Sequence, residues 1–320
     1  MRKILLTGVA GFIGSNLLNK LLMNDYFIVG IDNFDSFYSE DIKRKNINNN
    51  LVNTNFKLII GDISDEKFVN SLDKDFDVII HLAAKAGVRP SIENPIGYQH
   101  TNVDGTLYLL EFARKFNIKK FIFASSSSVY GVNQNLPWKE NENLLPISPY
   151  ASTKLSCENI GHVYSSLYGI KFFALRFFTV YGPGQRPDLA IHKFFKQIIE
   201  NEVINVFGNG KTYRDYTYVD DICEGIMSTI NYNKTNYEIF NLGNNNKISL
   251  LELINKISNL TGKEVKILFL PEQQGDVPYT FADISKAQTY LNYTPKTNID
   301  IGLSNFYNWF KQIYKIDEKA

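Results

Sequence analysis

The 320-residue sequence predicts an α/β protein, in which a Rossmann-type doubly wound parallel sheet carries a smaller α/β substrate-binding domain. In the first half of the chain, short apolar runs alternate with segments of helical periodicity, which is typical of parallel sheets covered on both faces. A glycine motif joins the first apolar run to the first helix. After about Phe178 the chain becomes rich in turns. We therefore expect a dinucleotide-binding domain over residues 1–178. Residues 179–320 should form mainly the substrate domain, with some segments returning to the sheet.

Each predicted strand is a continuous apolar run with no polar alternation, as expected for a buried parallel strand. The runs are Lys3–Leu6, Phe27–Ile31, Lys57–Ile60, Val78–His81, Phe121–Ala124 and Phe172–Arg176. Helical periodicity predicts helices over Phe12–Leu22, Ser39–Asn48, Asp65–Leu72, Ile96–Phe116 and Leu250–Leu260, and another that begins near Tyr150. The Asn-rich stretch Asn46–Asn55 is predicted to be a solvated loop.

Composition excludes several classes of protein. Hydrophobic residues make up 44% of the chain and aromatic residues 14%, so a sizeable core is available and global disorder is excluded. The 34 basic and 33 acidic residues nearly cancel, which gives no electrostatic case for binding nucleic acid or an anionic membrane surface. No apolar run reaches the roughly 18 residues of a membrane span. Ile4–Leu6 is too short for a signal-peptide core, so we expect a cytoplasmic protein.

The two cysteines, Cys157 and Cys223, lie in stretches of helical pattern. Two thiols cannot form a disulfide framework, and no paired Cys/His spacing indicates a zinc site. We interpret both as small buried hydrophobic residues in a reducing compartment, and we expect no metal.

The glycine motif is Gly8-x-x-Gly11-x-x-Gly14, between the first strand and the first helix. Gly8 would permit the tight turn, Gly11 the close approach of a pyrophosphate, and Gly14 the close packing of helix and strand. The N-terminus of the helix would add free N–H groups and a partial positive charge. This context predicts a dinucleotide site.

Three further features support that site. Asp32 ends the second strand, where a carboxylate binds the adenosine ribose and favours NAD over NADP. Asp62 is placed to meet the adenine edge, although it could equally be a helix N-cap. Leu82–Ala84 supplies small residues on which a cofactor could lie. We interpret His81, just before them, as a structural histidine.

Tyr150 and Lys154 stand four residues apart and therefore share one helical face. A phenol with a pKa near 10 is a poor base at neutral pH, but a nearby ammonium and a nicotinamide cation favour the phenolate. This pair predicts an acid/base group with its partner. The run Ser125–Ser128 follows the fifth strand, at the sheet edge where ligands bind, and it predicts a catalytic serine.

Together these motifs resemble the extended short-chain dehydrogenase/reductase family, the NAD-dependent epimerases and dehydratases. The resemblance covers nearly the whole chain, because it continues through Arg176-Phe-Phe-Thr-Val-Tyr-Gly-Pro, Arg214-Asp-Tyr-Thr-Tyr-Val-Asp-Asp and Ala282-Asp-Ile-Ser-Lys-Ala. It implies that Tyr150 is the acid/base, that Lys154 is its partner and a ribose ligand, and that Ser126 donates to the sugar O4. It implies an NAD site formed by Gly8, Gly11, Phe12, Ile13, Gly14, Asp32, Asn33, Asp62, Ile63, Leu82, Ala83, Ala84, Asn102, Tyr150, Lys154 and Phe177.

Family members begin with oxidation at C4 of a nucleotide sugar and differ in the step that follows. Dehydratases carry an Asp-Glu pair before the Val-Tyr-Gly, and decarboxylases typically carry a glutamate there. This chain has only Ser126–Ser128 at those places. The resemblance therefore implies 4-epimerization, with NAD regenerated in every turnover.

The sugar is suggested by a further similarity to UDP-glucuronate 4-epimerases, carried by Ala86–Arg89, Ser125–Ser128 and Phe178–Pro187. This similarity implies that the C6 carboxylate is held by Ser127, Ser128, Thr179 and Arg186, with Arg89 nearby. Arg214 is similar to the arginine that holds the substrate diphosphate. The alternative for Arg186 is a surface charge beside Pro187.

A UDP-glucose or UDP-N-acetylglucosamine 4-epimerase is the main rival. Many UDP-hexose epimerases have an arginine before the late Gly-Asp, whereas Gln273–Gln274 precede Gly275–Asp276 here. The diphosphate would then depend more on Arg214. A UDP-glucuronate decarboxylase, an oxidoreductase that releases its keto product and a non-catalytic dinucleotide sensor are further alternatives.

The family usually forms homodimers through a four-helix bundle. In this chain the helices would be Ile96–Phe116 and Tyr150–Tyr168, although an apolar helix face could also belong to the protein's own core. The resemblance places the activity in polysaccharide biosynthesis and leaves the pathway open.

Overall fold

The computed structural model describes residues 1–271 and 277–316 and contains a central parallel sheet of seven strands. The strands of the chain are β1 (Lys3–Thr7), β2 (Phe27–Asp32), β3 (Phe56–Ile60), β4 (Val78–His81), β5 (Lys120–Ser126), β6 (Lys171–Phe177), β7 (Thr179–Tyr181), β8 (Val203–Phe207), β9 (Tyr213–Arg214), β10 (Tyr216–Tyr218), β11 (Tyr237–Leu242), β12 (Ile248–Ser249) and β13 (Lys266–Leu270). The order in the sheet is β3-β2-β1-β4-β5-β6-β11. The order reverses at β1, so the predicted doubly wound fold is confirmed.

Helices connect these strands. They are α1 (Phe12–Leu22), α2 (Glu40–Ile47), α3 (Glu66–Asn70), α4 (Val88–Glu93), α5 (Pro95–Tyr98), α6 (Gly105–Lys115), α7 (Pro149–Tyr168), α8 (Ala190–Ile199), α9 (Val219–Asn231), α10 (Leu250–Thr261), α11 (Ser285–Leu291) and α12 (Ile299–Tyr314). A π-helical segment, Gln99–Asp104, joins α5 to α6, so the predicted helix Ile96–Phe116 is one continuous element.

The sheet is covered on both faces, which explains the unbroken apolar runs in its strands. Neighbouring residues of one strand enter opposite cores. Leu5 and Phe121 belong to the core beneath α6, whereas Leu6 and Ile122 belong to the core beneath α1 and α9. All four side chains are fully buried. A polar residue at any of these positions would leave an unsatisfied group in one of the two layers.

The longest helix, α7, has a sequence that specifies both of its ends. Ser148 accepts a hydrogen bond from the N–H of Ala151 (3.2 Å), and Pro149 occupies the first turn. At the other end Gly169 adopts a left-handed conformation, with φ +66°, that ends the helix. These ends set the rotation and the axial position of Tyr150 and Lys154.

Beyond the sheet, the C-terminal part of the chain forms a smaller core around Tyr181, Phe195, Ile204, Leu253 and Phe306. Three two-stranded pairs lie here, in which β7 pairs with β10, β9 with β12, and β8 with β13. Three segments of this half depart from that core. Strand β11 returns to the central sheet beside β6, α9 packs against α1, and α11 packs against β11 and α9.

The predicted strands agree with the structure to within two residues at each end. The prediction of a solvated loop over Asn46–Asn55 is wrong in its first part, because α2 continues to Ile47 and a 3-10 turn follows. The Asn46 side chain donates to the carbonyl of Ala10 (3.1 Å), which ties this segment to the glycine loop. Within the described ranges no helix is long and apolar enough to cross a membrane. Both cysteines are buried and unbridged, Cys157 in α7 and Cys223 in α9.

Candidate active site

A cavity of about 550 Å³ opens at the carboxyl ends of the central strands. Most of the predicted site residues line it, namely Gly8, Gly11, Phe12, Ile13, Gly14, Asp32, Asn33, Asp62, Ile63, Leu82, Ala83, Ala84, Ser126, Ser127, Ser128, Tyr150, Lys154, Phe177, Thr179, Arg186 and Arg214. Asn102 and Arg89 were also predicted to belong to the site, but they lie outside this lining. The carboxyl edge of an open parallel sheet is where such folds bind ligands.

The glycine loop forms the floor of the cavity. Gly8 has φ +71°, and a Cβ on it would lie 2.8 Å from the backbone nitrogen of Ala83. A Cβ on Gly14 would lie 2.0 Å from the carbonyl oxygen of Gly8. Helix α1 begins after Gly11, and no described side chain caps its N-terminus. Its first N–H groups are therefore available to an anion in the cavity.

Asp32, at the end of β2, is held by the backbone of two loops. Its Oδ2 accepts a hydrogen bond from the N–H of Ala10 (3.0 Å), and its Oδ1 accepts one from Phe34 (2.9 Å). Burial raises the pKa of the Asp32 carboxyl, against the effect of these two bonds and of the Lys43 ammonium. Each oxygen keeps a second acceptor site for a ligand.

Asp62 follows β3 and faces Asn33 across the cavity, with the Asn33 Nδ2 donating to its Oδ2 at 2.9 Å. Its Oδ1 accepts from the N–H (2.8 Å) and the hydroxyl (2.6 Å) of Ser64. The interpretation of Asp62 as a helix N-cap is wrong. The residue that caps α3 is Asp65, whose carboxylate accepts from the N–H groups of Lys67 and Phe68.

The loop after β4 forms the opposite wall, and Asn102 supports this wall from behind. Asn102 is 2% exposed. It accepts from the N–H of Lys85 (2.8 Å) and donates to the Lys85 carbonyl (3.0 Å) and to Thr153 (3.0 Å). Its side chain is thus engaged by the protein and lies outside the lining of the cavity, and its contact with NAD stays a prediction. Its sequence position on a helix could not reveal which side of the loop it would occupy.

His81 is buried between two hydroxyl groups. Its Nδ1 lies 2.7 Å from the Thr7 hydroxyl, and its Nε2 lies 3.0 Å from the Thr106 hydroxyl. Burial lowers the pKa of His81 to about 3, so it is neutral at ordinary pH. Both ring nitrogens are occupied, as expected of a structural histidine.

Tyr150 begins the functional face of α7 and lines the cavity together with Ser126 at the end of β5. Burial raises the pKa of Tyr150, and the neighbouring Ser126 hydroxyl and the Arg186 charge act in the opposite direction. The expected lowering of this pKa by the lysine is therefore wrong for the chain by itself. The desolvation of the phenol outweighs the nearby charges.

Lys154 lies one turn further along α7 and is 3% exposed. Its Nζ donates to the carbonyl of Ala124 (2.7 Å) and lies 6.0 Å from the centre of the Tyr150 ring. Burial lowers the pKa of Lys154 to about 8, although the neighbouring acidic groups of Cys157 and Glu158 act in the opposite direction. The ammonium is thus a desolvated donor within reach of the cavity.

A buried ion pair anchors these residues from below. Arg176 in β6 donates through Nε to Glu158 Oε1 (2.9 Å) and through Nη2 to Oε2 (2.7 Å), and each side chain is 1% exposed. The Ser125 hydroxyl donates to Glu158 Oε1 at 2.5 Å. Through this network the carboxyl end of β5 is tied to α7, which fixes the serine run against the helix that carries Tyr150.

The serine run turns at Ser126, whose Oγ accepts from the N–H (3.2 Å) and the hydroxyl (2.9 Å) of Ser128. Ser127 lies deeper, at 8% exposed, and Thr179 in β7 lines the cavity opposite the run. The run Ser125–Ser128, which forms this corner of the cavity, contains no carboxylate. The buried Glu158 behind it is already paired with Arg176.

Arg186 follows β7 and lines the cavity, with a side chain that is 16% exposed. The interpretation of this residue as a surface charge is therefore wrong. Its guanidinium forms a two-point ion pair with Asp188 and lies 5.2 Å from the centre of the Phe37 ring. The sequence did not reveal that this arginine already has an acidic partner.

The other two predicted arginines occupy different positions. Arg214 lines the cavity from the C-terminal half, and its Nη1 donates to the carbonyls of Tyr213 (2.9 Å) and Pro278 (3.2 Å). Arg89 is exposed and lies 5.6 Å from the centre of the Phe207 ring, outside the cavity lining. The departure noted at Gln273–Asp276 lies outside the described residues.

Sequence reasoning missed the loop after β2 as a wall of the site. Asp35, Phe37, Tyr38 and Lys43 all line the cavity, and Asp35 pairs with Lys85 across it at 2.8 Å. The Tyr38 hydroxyl is buried and has no partner among the described residues. The position of this loop could have predicted its role, because it follows the carboxyl end of β2, at the same edge of the sheet as the glycine motif.

Comparison with known proteins identifies the family. The profile of the GDP-mannose 4,6 dehydratase family matches residues 5–306. The chain therefore belongs to this family of extended, NAD-dependent short-chain dehydrogenases/reductases. A UDP-glucuronate 4-epimerase of Thermodesulfobacterium geofontis is 40% identical over 312 residues, which cover 96% of each chain. An uncharacterised protein of Methanocaldococcus jannaschii is 47% identical over 316 residues, which cover 97% of this chain and 96% of the other.

Solved structures extend the comparison. A Bacillus cereus UDP-glucuronic acid 4-epimerase, in complex with UDP-glucuronic acid and NAD, superposes with a TM-score of 0.93 at 40% identity, covering 98% of this chain and 100% of the other. A Thermotoga maritima UDP-glucose 4-epimerase with UDP-glucose has a TM-score of 0.89 at 32% identity. A Methanobrevibacter ruminantium UDP-N-acetylglucosamine 4-epimerase has the same TM-score at 33% identity. For both, 98% of this chain and 99% of the other are covered.

Proposed function

We propose that this chain is a UDP-glucuronate 4-epimerase, which interconverts UDP-glucuronate and UDP-galacturonate by transient oxidation at C4 with bound NAD. The observation that carries the proposal is that Tyr150, Lys154 and Ser126 line one cavity, whose serine run offers no carboxylate. Tyr150 and Ser126 can handle the proton of a hydroxyl, and the run Ser125–Ser128 contains no carboxylate that could eliminate water.

The residues of the cavity fit NAD. The uncapped N-terminus of α1 offers N–H groups to a diphosphate. The glycines carry no Cβ, so a ligand can approach the backbone of the glycine loop closely. Asp32 keeps acceptor capacity for ribose hydroxyls and disfavours a 2′-phosphate. When bound, NAD would take up a hydride from C4 of the sugar and return it to the other face, so that it is not consumed. NAD would be held by the predicted cofactor residues that line the cavity, which are all of them except Asn102.

Tyr150 would remove the proton from the C4 hydroxyl and later return it, while Ser126 donates a hydrogen bond to the same oxygen. Since burial raises the pKa of Tyr150, the phenolate needs further stabilisation during the reaction. Lys154 supplies a desolvated positive charge for this purpose and a donor for the nicotinamide ribose. The buried pair Glu158–Arg176 keeps the helix and the serine run in register.

The uronic acid is favoured by Arg186, which lines the same cavity as Tyr150. Its positive charge lowers the pKa of the Tyr150 phenol, against the effect of burial. Ser127, Ser128 and Thr179 surround the same corner and would share the C6 carboxylate, and Arg214 would hold the diphosphate. Because Arg89 lies outside the lining, we leave it out of the proposed site.

A neutral-sugar 4-epimerase is the second candidate. The observation that favours it is Asp188, whose carboxylate already occupies part of the Arg186 guanidinium. UDP-glucose and UDP-N-acetylglucosamine are the substrates to compare. A decarboxylase is disfavoured because no carboxylate belongs to the serine run. A non-catalytic sensor has no use for Tyr150, Lys154 and Ser126 lining one cavity.

The test is proton NMR of the purified protein, incubated separately with UDP-glucuronate, UDP-glucose and UDP-N-acetylglucosamine without added NAD. Conversion of UDP-glucuronate to UDP-galacturonate supports the proposal and indicates that NAD is retained during purification. Conversion of a neutral sugar alone would keep the mechanism and exclude the uronic acid. Formation of a UDP-pentose as the main product would indicate a decarboxylase, and release of NADH would indicate an oxidoreductase.

We further propose a cytoplasmic homodimer that supplies sugar for polysaccharide biosynthesis and has no membrane or nucleic-acid partner. Exposed apolar side chains support the dimer, since Ile96 is 82% exposed and Val163 and Leu167 of α7 are 47% and 67% exposed. Helix α7 and the helix from Pro95 to Lys115 would form the four-helix bundle. A monomeric mass by light scattering would contradict the dimer.

The division at residue 178, with β11 returning to the sheet, is our proposed domain boundary.

A further inference from the structure

Arg186 and Asp188 form a two-point ion pair in the loop between β7 and α8. The Arg186 Nε donates to Oδ1 of Asp188 at 2.9 Å, and its Nη2 donates to Oδ2 at 2.8 Å. Asp188 is separated from Arg186 only by Pro187, and its side chain is 36% exposed. The carboxylate therefore grips one edge of the guanidinium in a side-on arrangement.

A guanidinium has a second edge that can bind a carboxylate at the same time. It carries five N–H groups, and the pair with Asp188 uses one on Nε and one on Nη2. The remaining Nη2 hydrogen and those of Nη1 form an end-on edge, which meets no acceptor among residues 1–271 and 277–316. Since Arg186 lines the cavity, a ligand there can reach this edge.

One further contact limits the positions that the guanidinium can take. The Phe37 ring lies 5.2 Å from its central carbon, on the loop after β2. Arg186 lines the cavity together with Tyr38 of the loop after β2 and with Tyr150. Aromatic packing restrains the group from one side, and Asp188 determines its rotation.

We propose that Asp188 is a positioning residue, which holds the Nε–Nη2 edge of Arg186 so that the opposite edge is presented to the C6 carboxylate of the sugar. This inference rests on the proposed function. Asp188 would touch neither the substrate nor the cofactor. Its role would be to fix the angle at which the carboxylate is gripped.

The angle matters because the 4-keto sugar formed from a uronic acid is a β-keto acid. If the C5–C6 bond aligns with the π system of the C4 carbonyl, that bond can break and release C6 as CO2. Its electron pair then passes to C5 and O4 as an enolate, and a proton adds at C5 to give a 4-ketopentose. An end-on grip by Arg186 keeps both carboxylate oxygens bound and holds the C5–C6 bond out of this alignment.

The test compares wild-type protein with D188N and D188E, and with D300N as a matched control. Asp300 forms a 2.8 Å ion pair with Lys256, its side chain is 66% exposed, and it does not line the cavity. D188N removes the negative charge and leaves a single amide oxygen that can accept a hydrogen bond from the Arg186 guanidinium. D188E keeps the charge but moves the carboxylate by one methylene. Thermal melting checks that each variant folds.

The 4-ketopentose becomes a UDP-pentose if the hydride that was taken from C4 returns to it. The first readout is the ratio of decarboxylated product, UDP-4-ketopentose plus UDP-pentose, to UDP-galacturonate formed from UDP-glucuronate, measured by proton NMR. Loss of one charge-assisted hydrogen bond should raise this ratio about tenfold in D188N, with D188E between D188N and wild type. D300N should match wild type. The second readout is the dissociation constant in a Tyr150→Phe background, where no turnover occurs. UDP-glucuronate should bind about tenfold more weakly to D188N, and UDP-glucose within about twofold of wild type.

An unchanged product ratio in D188N would overturn the inference, as would tighter binding of UDP-glucuronate without any decarboxylated product. The latter result would make Asp188 only a competitor for Arg186. If D188N does not fold, the same ratio measured on D188E decides. The two proposals fail separately, because a wild type that does not convert UDP-glucuronate removes the proposed function together with this inference. A competent wild type with an unchanged D188N removes the inference alone.

Discussion

The Lys154 ammonium lies 6.0 Å from the centre of the Tyr150 ring, but its hydrogen bond goes to the carbonyl of Ala124 at the end of β5. The two residues share a face of α7, and the helix is held against β5 by the buried pair of Glu158 and Arg176. The lysine therefore links the helix to the strand that carries the serine run. Its charge is available to the cavity without a direct bond to the phenol.

Replacing Tyr150 with phenylalanine should lower kcat by at least about a thousandfold, within the range attributed to general acid–base groups. The ring still fills the same space, so NAD content and thermal stability should stay close to wild type. Proton NMR of product formation and the absorbance of released cofactor measure the two properties. Retention of full activity in this variant would exclude Tyr150 as the acid/base.

Replacing Lys154 with methionine should change how stability depends on pH. Burial lowers the pKa of Lys154 to about 8 in the folded chain, whereas an unfolded lysine keeps a pKa near 10.5. Between these values the unfolded state holds more protons, so the free energy of unfolding of the wild type rises with pH. The rise should approach about 3 kcal/mol relative to the variant.

Urea denaturation of both proteins at pH 7, 8, 9 and 10 measures this difference. Below pH 8 the gap between the two proteins should be constant, because lysine is protonated in both states. From pH 8 to 10 the free energy of unfolding of the wild type should rise relative to that of the methionine variant. Parallel pH profiles would mean that Lys154 titrates normally in the folded protein.

Replacing Glu158 with glutamine should destabilise the fold by about 3–5 kcal/mol, because it leaves the Arg176 charge buried without a charged partner. The matched control is Glu40→Gln, which breaks the exposed pair with Arg44, whose side chain is 52% exposed. That change should cost under about 0.5 kcal/mol. Urea denaturation at pH 7 compares them, and equal losses would contradict the role given to the buried pair.

Replacing Gly14 with alanine should destabilise the chain by about 3 kcal/mol and weaken NAD retention, because a Cβ would lie 2.0 Å from the Gly8 carbonyl oxygen. The control is Gly169→Ala, at the end of α7, where no atom lies within 4 Å but φ is +66°. Backbone strain there should cost about 1 kcal/mol and spare NAD. Thermal melting and cofactor content distinguish the two effects, and a Gly14→Ala protein with normal NAD content would refute this account of the loop.

Much of the site was predictable because its signals are local. The glycine spacing, Asp32 at a strand end and the four-residue interval between Tyr150 and Lys154 depend only on the geometry of a single turn or helix. Asp62 was placed at the cavity on the same logic, but its second interpretation failed because Asp65 caps α3. The sequence already predicted the start of this helix at Asp65, so the position along the chain favoured Asp65 over Asp62 as the cap.

Other features depend on residues that are distant in sequence. Asp35 and Lys85 meet across the cavity because parallel strands bring their carboxyl ends to one edge. Glu158 meets Arg176 because α7 packs against β6. No pattern in the sequence distinguishes these charges from others on the surface. The family resemblance assigned Asn102 to the cofactor site. Resemblance does not show on which side of a loop a side chain lies.

The sequence by itself determined the fold class, the glycine loop and the face of α7 that carries the acid/base, since each depends on periodicity, spacing or residue type over a few neighbours. Only the tertiary structure decided the pKa of Tyr150, the partner of Arg186 and the position of Asn102 behind the wall. Each of these depends on how much water is excluded and on which groups meet when separate segments pack together.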